Sequence, residues 1–147
     1  MFKHFVYLIL IVYTNARAEE CLHTAKELKC VEFVKNYDGD TFTVNIPKAP
    51  AFFANKAHVR ILGIDTAEIR TRNPCEKKMA KLAKSFVQSR LKRAKRIDLV
   101  NIGHDKYFRI LADVIYDGKN LGQEILKEKL AVVYTGKKKL KVDWCSL

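Results

Sequence analysis

Residues 60–69 read RILGIDTAEI, an apolar strand-like run that opens on Arg60 and closes on Asp65, Thr66 and Glu68. A strand needs none of these charges to fold, so their placement at its two ends points to chemistry. Two more acids, Asp38 and Asp40, flank a glycine upstream, and Arg109 follows Lys106 and Tyr107 downstream. Carboxylates from separate segments suit a hard cation such as Ca2+, which takes oxygen ligands in irregular geometry. No histidine cluster favours zinc. Two arginines suit phosphate oxygens, each gripped through parallel hydrogen bonds. A metal, an acid near it and two arginines would make a phosphodiester-cleaving site. Each residue alone also has an ordinary structural reading: turn acid, solvated loop acid or strand-end charge.

The elements that must bring these groups together are legible in outline. VEFVKNY (31–37) has strand composition and runs into Asp38-Gly39, a hairpin signal, before the alternating TFTVNI (41–46). Residues 47–57, with two prolines, read as a loop, and HVRILGID (58–65) as a third strand. Asn73 and Pro74 can cap and start a helix with Glu76 in its first turn. Its apolar face is read as Met79, Leu82, Ala83, Phe86, Val87 and Leu91. IDLVNIG (97–103) and RILADVIY (109–116) are the fourth and fifth strands, the latter closed by Asp117-Gly118. NLGQEILKEKL is a second helix with Leu121, Ile125, Leu126 and Leu130 inward, followed by AVVY and a basic tail. A small antiparallel barrel with packed helices is the economical arrangement, because closure removes sheet edges.

The chain has 147 residues, a length for one domain, and 28 Lys plus Arg against 16 Asp plus Glu, a net +12. Nearly half of the residues are hydrophobic, which excludes a disordered polycation. The charge calls for a polyanionic partner, either nucleic acid or an anionic membrane surface. Residues 1–18 read as a signal peptide: Lys3, an apolar run from Phe5 to Tyr13, and Ala16-Arg17-Ala18 as the cleavage site. Nine apolar residues span only about 14 Å as a helix, half of a bilayer core. Residues 19–147 are then the mature domain, periplasmic or secreted, without stable membrane insertion and expected to be monomeric. Export gives Cys21, Cys30, Cys75 and Cys145 the meaning of two disulfides, out of three connectivities. Cys21–Cys30 with Cys75–Cys145 is the favoured pair, since the first closes a short loop. A zinc site through Cys21, His23 and Cys30 matches no usual spacing.

Taken in order, DGDTFTV (38–44), VRILGIDTAE (59–68), DKYFRILADV (105–114) and DGKNLGQEIL (117–126) resemble the staphylococcal (micrococcal) nuclease family, over roughly residues 31–134. The resemblance implies an α+β, mainly β fold: a five-stranded oligonucleotide-binding-type barrel with helices. It implies Ca2+-dependent hydrolysis of DNA and RNA that leaves 3′-phosphate ends. By position, Asp40 and Asp65 would ligate Ca2+ through carboxylates and Thr66 through its carbonyl, with Asp38 nearby. Glu68 would hold and deprotonate the attacking water, and Arg60 and Arg109 would clamp the phosphate. Lys106 and Tyr107 match positions that contact a terminal phosphate, and Tyr134 matches a tyrosine beside the base.

Three departures stand out. Ala67 replaces the proline that commonly follows the Asp-Thr pair, and Phe108 stands where a glycine is common. The family's third helix is expected to be absent, with the tail anchored instead by Cys75–Cys145 and Trp144. Two other readings compete with a nuclease. A non-catalytic nucleic-acid-binding module of the same fold would have no reason to keep the full set of acids and arginines. A basic protein acting on membranes by charge alone would be indifferent to Ca2+ and to Glu68.

Overall fold

The computed structural model describes residues 21–137, 139 and 141–147; the proposed signal peptide lies outside them. Two strand segments, β1 (Glu27–Leu28) and β2 (Glu32–Asn36), lead to β3 (Thr41–Asn45), then a helical turn α1 (Ala51–Ala54), β4 (Ala57–Ile61) and β5 (Ile64–Thr66). The long helix α2 (Pro74–Arg93) precedes β6 (Ile97–His104), β7 (Ile110–Tyr116) and β8 (Lys119–Asn120). Helix α3 (Leu121–Lys127) and β9 (Ala131–Val133) complete the regular elements. The fold is α+β and mainly β.

The main sheet runs β1-β6-β7-β4-β3-β2, with β8 on β7, and β5 pairs with β9 in a second small sheet. The expected closed antiparallel barrel is corrected on two points. The ladder is not closed: β1 and β2 stand at its opposite ends. They are consecutive parts of one segment, and between them the Val31 N–H donates to the Ile97 carbonyl over 2.9 Å, so the same stretch of chain reaches both flanks. The pairing is also not wholly antiparallel, since β4 runs parallel to β7 with Arg60 opposite Leu111.

The third strand expected over 58–65 is broken. Gly63, at φ 78°, turns the chain between β4 and β5, and β5 leaves the main sheet to pair with β9, Asp65 opposite Val132. That break separates Arg60 from Asp65 in direction while keeping them close. The loop expected over 47–57 contains the one-turn α1, and among the described residues no helix follows α3.

Helix α2 begins as its capping residues dictate. The Asn73 side chain accepts the N–H groups of Cys75 and Glu76 at 3.0 and 3.2 Å, Pro74 opens the first turn, and Arg90, Lys92 and Arg93 lie in the last. Its buried face is Ala80, Ala83, Val87 and Leu91; Leu82, expected inside, is exposed. Ala83 on that face lets the helix approach the β2–β3 turn closely. A Cβ added to Gly39 would lie 2.6 Å from the Ala83 Cβ. The Asn36 side-chain amide clamps the same contact, donating to the carbonyls of Lys84 (2.8 Å) and Asp38 (3.0 Å).

Val44, Val59, Val87, Leu99, Val114, Leu121 and Ile125 form the centre of the core, fully buried from both sheet and helices. Such burial is worth about 1.5–3 kcal/mol per side chain. A second, smaller cluster joins Ala67 and Ala80 to Trp144 of the C-terminal tail. Disulfides join Cys21 to Cys30 and Cys75 to Cys145, and the second holds the tail to the start of α2. Among the described residues no helix is long and apolar enough to cross a membrane.

Candidate active site

Asp40 enters the site from the start of β3, directed by the turn before it. Asp38 Oδ1 accepts the N–H groups of Asp40 (3.1 Å) and Thr41 (2.8 Å), which fixes the turn through the side chain. Burial pushes the Asp38 carboxyl up to about 7, and the Asp40 charge beside it adds to the rise. Asp40 itself is buried, and so are Arg60 and Asp65. Charges so placed persist only when they are paired and hydrogen-bonded.

They are paired to one another. Arg60 Nη1 donates to Asp40 Oδ1 over 2.6 Å, while Nη2 donates to Asp65 Oδ1 over 2.9 Å and to the Ile64 carbonyl over 3.2 Å. The β3–β4 ladder sets this up by placing Thr41 opposite Arg60. Burial opposes the Arg60 charge, but the neighbouring Asp40 and Asp65 carboxylates overcome it and raise its pKa above the usual value. Asp40 also accepts the Thr41 hydroxyl on Oδ1 (2.9 Å) and the Thr66 N–H on Oδ2 (3.1 Å). The hairpin, β4 and β5 therefore meet on one carboxylate.

Arg109 approaches from the turn before β7. Its Nε and Nη2 donate to Asp105 Oδ2 at 2.7 and 2.6 Å, and its Nη1 donates to the Thr41 hydroxyl at 3.3 Å. Burial would raise the Asp105 carboxyl, but the bonds from Arg109 and from the Tyr107 and Arg109 N–H groups hold it below the usual range. Thr41 thus links the two arginine systems. Glu68 stands past the end of β5 with its carboxylate exposed, and Lys139 of the tail donates to Glu68 Oε1 at 2.6 Å and lies 3.0 Å from Asp65 Oδ1. Both carboxylates raise the Lys139 pKa against the effect of burial.

One open cavity of about 940 Å³ gathers these groups. Asp40, Arg60, Thr66, Glu68, Lys106, Tyr107, Arg109 and Tyr134 all line it, together with Asp38, Thr41 and Lys139. The Tyr107 ring lies 5.4 Å from the Arg109 guanidinium carbon and 5.0 Å from Lys106 Nζ. The Tyr134 ring lies 5.7 Å from that of Arg60, and its hydroxyl donates to the Lys137 carbonyl. Asp65 does not line the cavity and is reached through Arg60 and Lys139.

Three residues here escaped the sequence reading. Asp105 carried a signal, an acid four positions before Arg109. Thr41 carried none, because its hydroxyl looks like any alternating strand residue. Lys139 is one of several lysines in GKKKLK, and nothing in that run distinguishes it.

The donors around Asp40, Asp65, Thr66 and Glu68 are all oxygens, which fits a hard cation such as Ca2+ and not zinc. The zinc alternative at the N-terminus fails on chemistry. Cys21 and Cys30 are joined to each other, and His23 is bonded to the Pro47 carbonyl and the Lys29 N–H. Among the described residues no group of three or more His, Cys, Asp and Glu side chains forms a ready cage. Asp40 and Asp65 are instead neutralised by Arg60, and Glu68 by Lys139.

Comparison with known proteins sets this geometry in a family. A family model described as staphylococcal nuclease homologue matches residues 58–143. Similar curated proteins include the SPbeta prophage-derived endonuclease YokF of Bacillus subtilis (strain 168), 35% identical over 119 residues covering 74% of this chain and 35% of that protein. Endonuclease YncB of the same organism is 34% identical over 119 residues, covering 74% of this chain and 49% of its own. The chain thus spans about a third to a half of the length of these relatives. The matched family segment begins at His58, so it carries both arginines, Asp65, Thr66 and Glu68, whereas the place of Asp40 beside them rests on the fold. Matched over more than half of its length, the chain belongs to the staphylococcal nuclease family.

Proposed function

We propose that this chain is an exported Ca2+-dependent nuclease. It hydrolyses phosphodiester bonds of DNA and RNA with little sequence specificity and leaves 3′-phosphate ends. The observation that carries the reading is the meeting of Arg60, Arg109, Asp40 and Glu68 around a single cavity, from four separate segments. A binding module has no use for an exposed carboxylate beside two preset guanidinium groups.

In this reading Asp40 and Asp65 hold Ca2+ through their carboxylates and Thr66 through its carbonyl. Bound there, the ion supplies Lewis-acid polarisation of a phosphate oxygen. Glu68, exposed at the cavity, holds the attacking water and takes its proton once its carboxylate is released from Lys139. Arg109, kept in one orientation by two bonds to Asp105, meets the phosphate without first losing side-chain freedom. Arg60 supplies the second guanidinium, held by the same acids that serve the metal. Lys106 and Tyr107 take a neighbouring phosphate, and Tyr134 takes a base. Attack at phosphorus with departure of the 5′ oxygen leaves the phosphate on the 3′ side. Two disulfides and the segment 1–18 support export to an oxidising compartment.

The test is incubation of the disulfide-bonded protein with DNA and with RNA, in Ca2+ or in chelator, beside Glu68→Gln and Arg109→Ala. Degradation only in Ca2+, lost in both variants, is expected. Equal degradation in chelator removes the Ca2+ mechanism, and binding without degradation in any lane assigns a binding module.

A further inference from the structure

Phe108 is 90% exposed, yet it sits beside Arg109 in the turn between β6 and β7. Its φ of 58° is left-handed, where a glycine fits without strain and a bulky aromatic residue is an outlier. The turn itself is firmly built. The Phe108 N–H donates to the Asp105 carbonyl (3.0 Å), and the Asp105 N–H donates to the Arg109 carbonyl (3.2 Å). None of those bonds needs a benzyl side chain, and its exposed ring adds little to the core. The ring faces one neighbour: it lies 16° from parallel with His104, centroids 6.4 Å apart. His104 ends β6 and lines the cavity that holds Arg109, Lys106 and Tyr107.

The geometry points to a nucleobase-stacking subsite formed by Phe108 and His104, one residue from the phosphate-facing Arg109. It rests on the nucleic-acid reading above and deepens it. Cationic groups that track a backbone, interleaved with aromatic faces that accept any base, are the means by which proteins hold single strands without reading sequence. A base inside a duplex has both faces covered, so this subsite favours unpaired strands and frayed ends. Phe52 and Phe53, packed edge-to-face on α1, are another exposed aromatic pair. Phe108 does not line the cavity either, but it adjoins Arg109 in sequence and pairs with His104, which does line it, whereas Phe52 and Phe53 do neither. They serve as an internal control.

The experiment uses the disulfide-bonded chain with Glu68→Gln to block turnover, and single-stranded oligonucleotides carrying 2-aminopurine. Quenching of the probe on binding is expected, with affinity at least about five-fold weaker in Phe108→Gly and unchanged in Phe52→Ala. Glycine suits the left-handed turn, so Arg109 keeps its support and a lost affinity reads the ring, not misfolding. An oligonucleotide abasic at the stacked position should bind Phe108→Gly and its parent equally. Equal affinity of Phe108→Gly and parent for intact strands overturns the subsite, as does an equal loss in Phe52→Ala. Active protein is assayed in parallel. Hydrolysis unaffected by Phe108→Gly, with no quenching, sinks the subsite and leaves the nuclease reading standing. Quenching that is lost in Phe108→Gly, without hydrolysis in Ca2+, keeps the subsite and removes the nuclease.

Discussion

Lys139 Nζ donates to Glu68 Oε1 over 2.6 Å, joining a tail residue to the exposed acid of the site across 71 positions of sequence. The same ammonium lies 3.0 Å from Asp65 Oδ1. A cation that needs these carboxylates must displace it. Lys139→Ala should therefore tighten Ca2+ binding, by about five-fold if the half-exposed pair is worth ~1 kcal/mol. Calorimetric titration with Ca2+ checks this. Unchanged or weaker affinity would mean that the ammonium does not compete for the acids.

Arg60 and Arg109 should fail differently. Arg60 neutralises two buried carboxylates, so Arg60→Ala leaves Asp40 without its ion-pair partner and Asp65 with Lys139 alone, and should cost about 3–5 kcal/mol of stability as well as activity. Arg109 pairs with one partly exposed acid, and Arg109→Ala should cost at most about 1 kcal/mol of stability. It should lower kcat by two to three decades, the loss expected on removing a preorganised donor to the transition state. Urea midpoints and single-turnover rates separate the two. A rise in KM with kcat intact would make Arg109 a binding contact only.

How far these contacts were legible depends on their range along the chain. The cap of α2 was readable because Asn73 and Pro74 act on neighbours within three residues. Asp117-Gly118 was readable too, and both residues have positive φ, 45° and 79°, as a tight hairpin demands. Asp38-Gly39 marked a real turn for a different reason: Gly39 is there because Ala83 and Thr66 leave no room for a side chain. That reason lies on another element, which local propensity does not see. The parallel β4–β7 pairing, the exposure of Leu82 and the choice of Lys139 from a basic run are likewise set by partners remote in sequence. The acids and arginines stood out because charge at the ends of an apolar strand contradicts its local pattern.

Gly39 gives that point a test. A Cβ there would approach Thr66 Cγ2 to 2.9 Å as well as the Ala83 Cβ. Gly39→Ala must move the turn off α2, at a cost of about 1–3 kcal/mol for overpacking. The same shift withdraws Asp40 from Arg60 and from the Thr66 N–H, so affinity for Ca2+ should fall with stability. Gly118→Ala, where a Cβ has open space but φ is positive, should lose stability alone. Equal Ca2+ affinity in the two variants would detach the turn from the site.

Tyr116 ties the sheet to α3. Its hydroxyl donates to Glu124 Oε2, and Arg90 of α2 approaches the same oxygen at 3.6 Å. Burial and the Glu124 bond raise the phenol to about 12 from its ordinary 10. The neutral form is thus the one the fold favours. Its contribution is complete below pH 10 and is lost as pH rises towards 12. Tyr116→Phe should be less stable at pH 8, yet show a shallower decline in melting temperature between pH 10 and 12. An unchanged slope would place the alkaline sensitivity elsewhere, among the lysines.

The two disulfides divide their work by loop length. Cys75–Cys145 spans 70 positions and Cys21–Cys30 spans 9. In the chain-entropy account the long loop is worth about 4 kcal/mol and the short one about 2.5. The long one also carries Trp144 onto Ala67 and Ala80, and the tail it anchors bears Lys139. Replacing Cys75 and Cys145 together by Ser should therefore lower stability more than replacing Cys21 and Cys30. It should also free Lys139 from Glu68 and bring Ca2+ affinity towards that of Lys139→Ala. Denaturant midpoints and Ca2+ titrations on both double variants read the two effects separately. A large stability loss with unaltered Ca2+ affinity would show that Lys139 finds Glu68 without the staple.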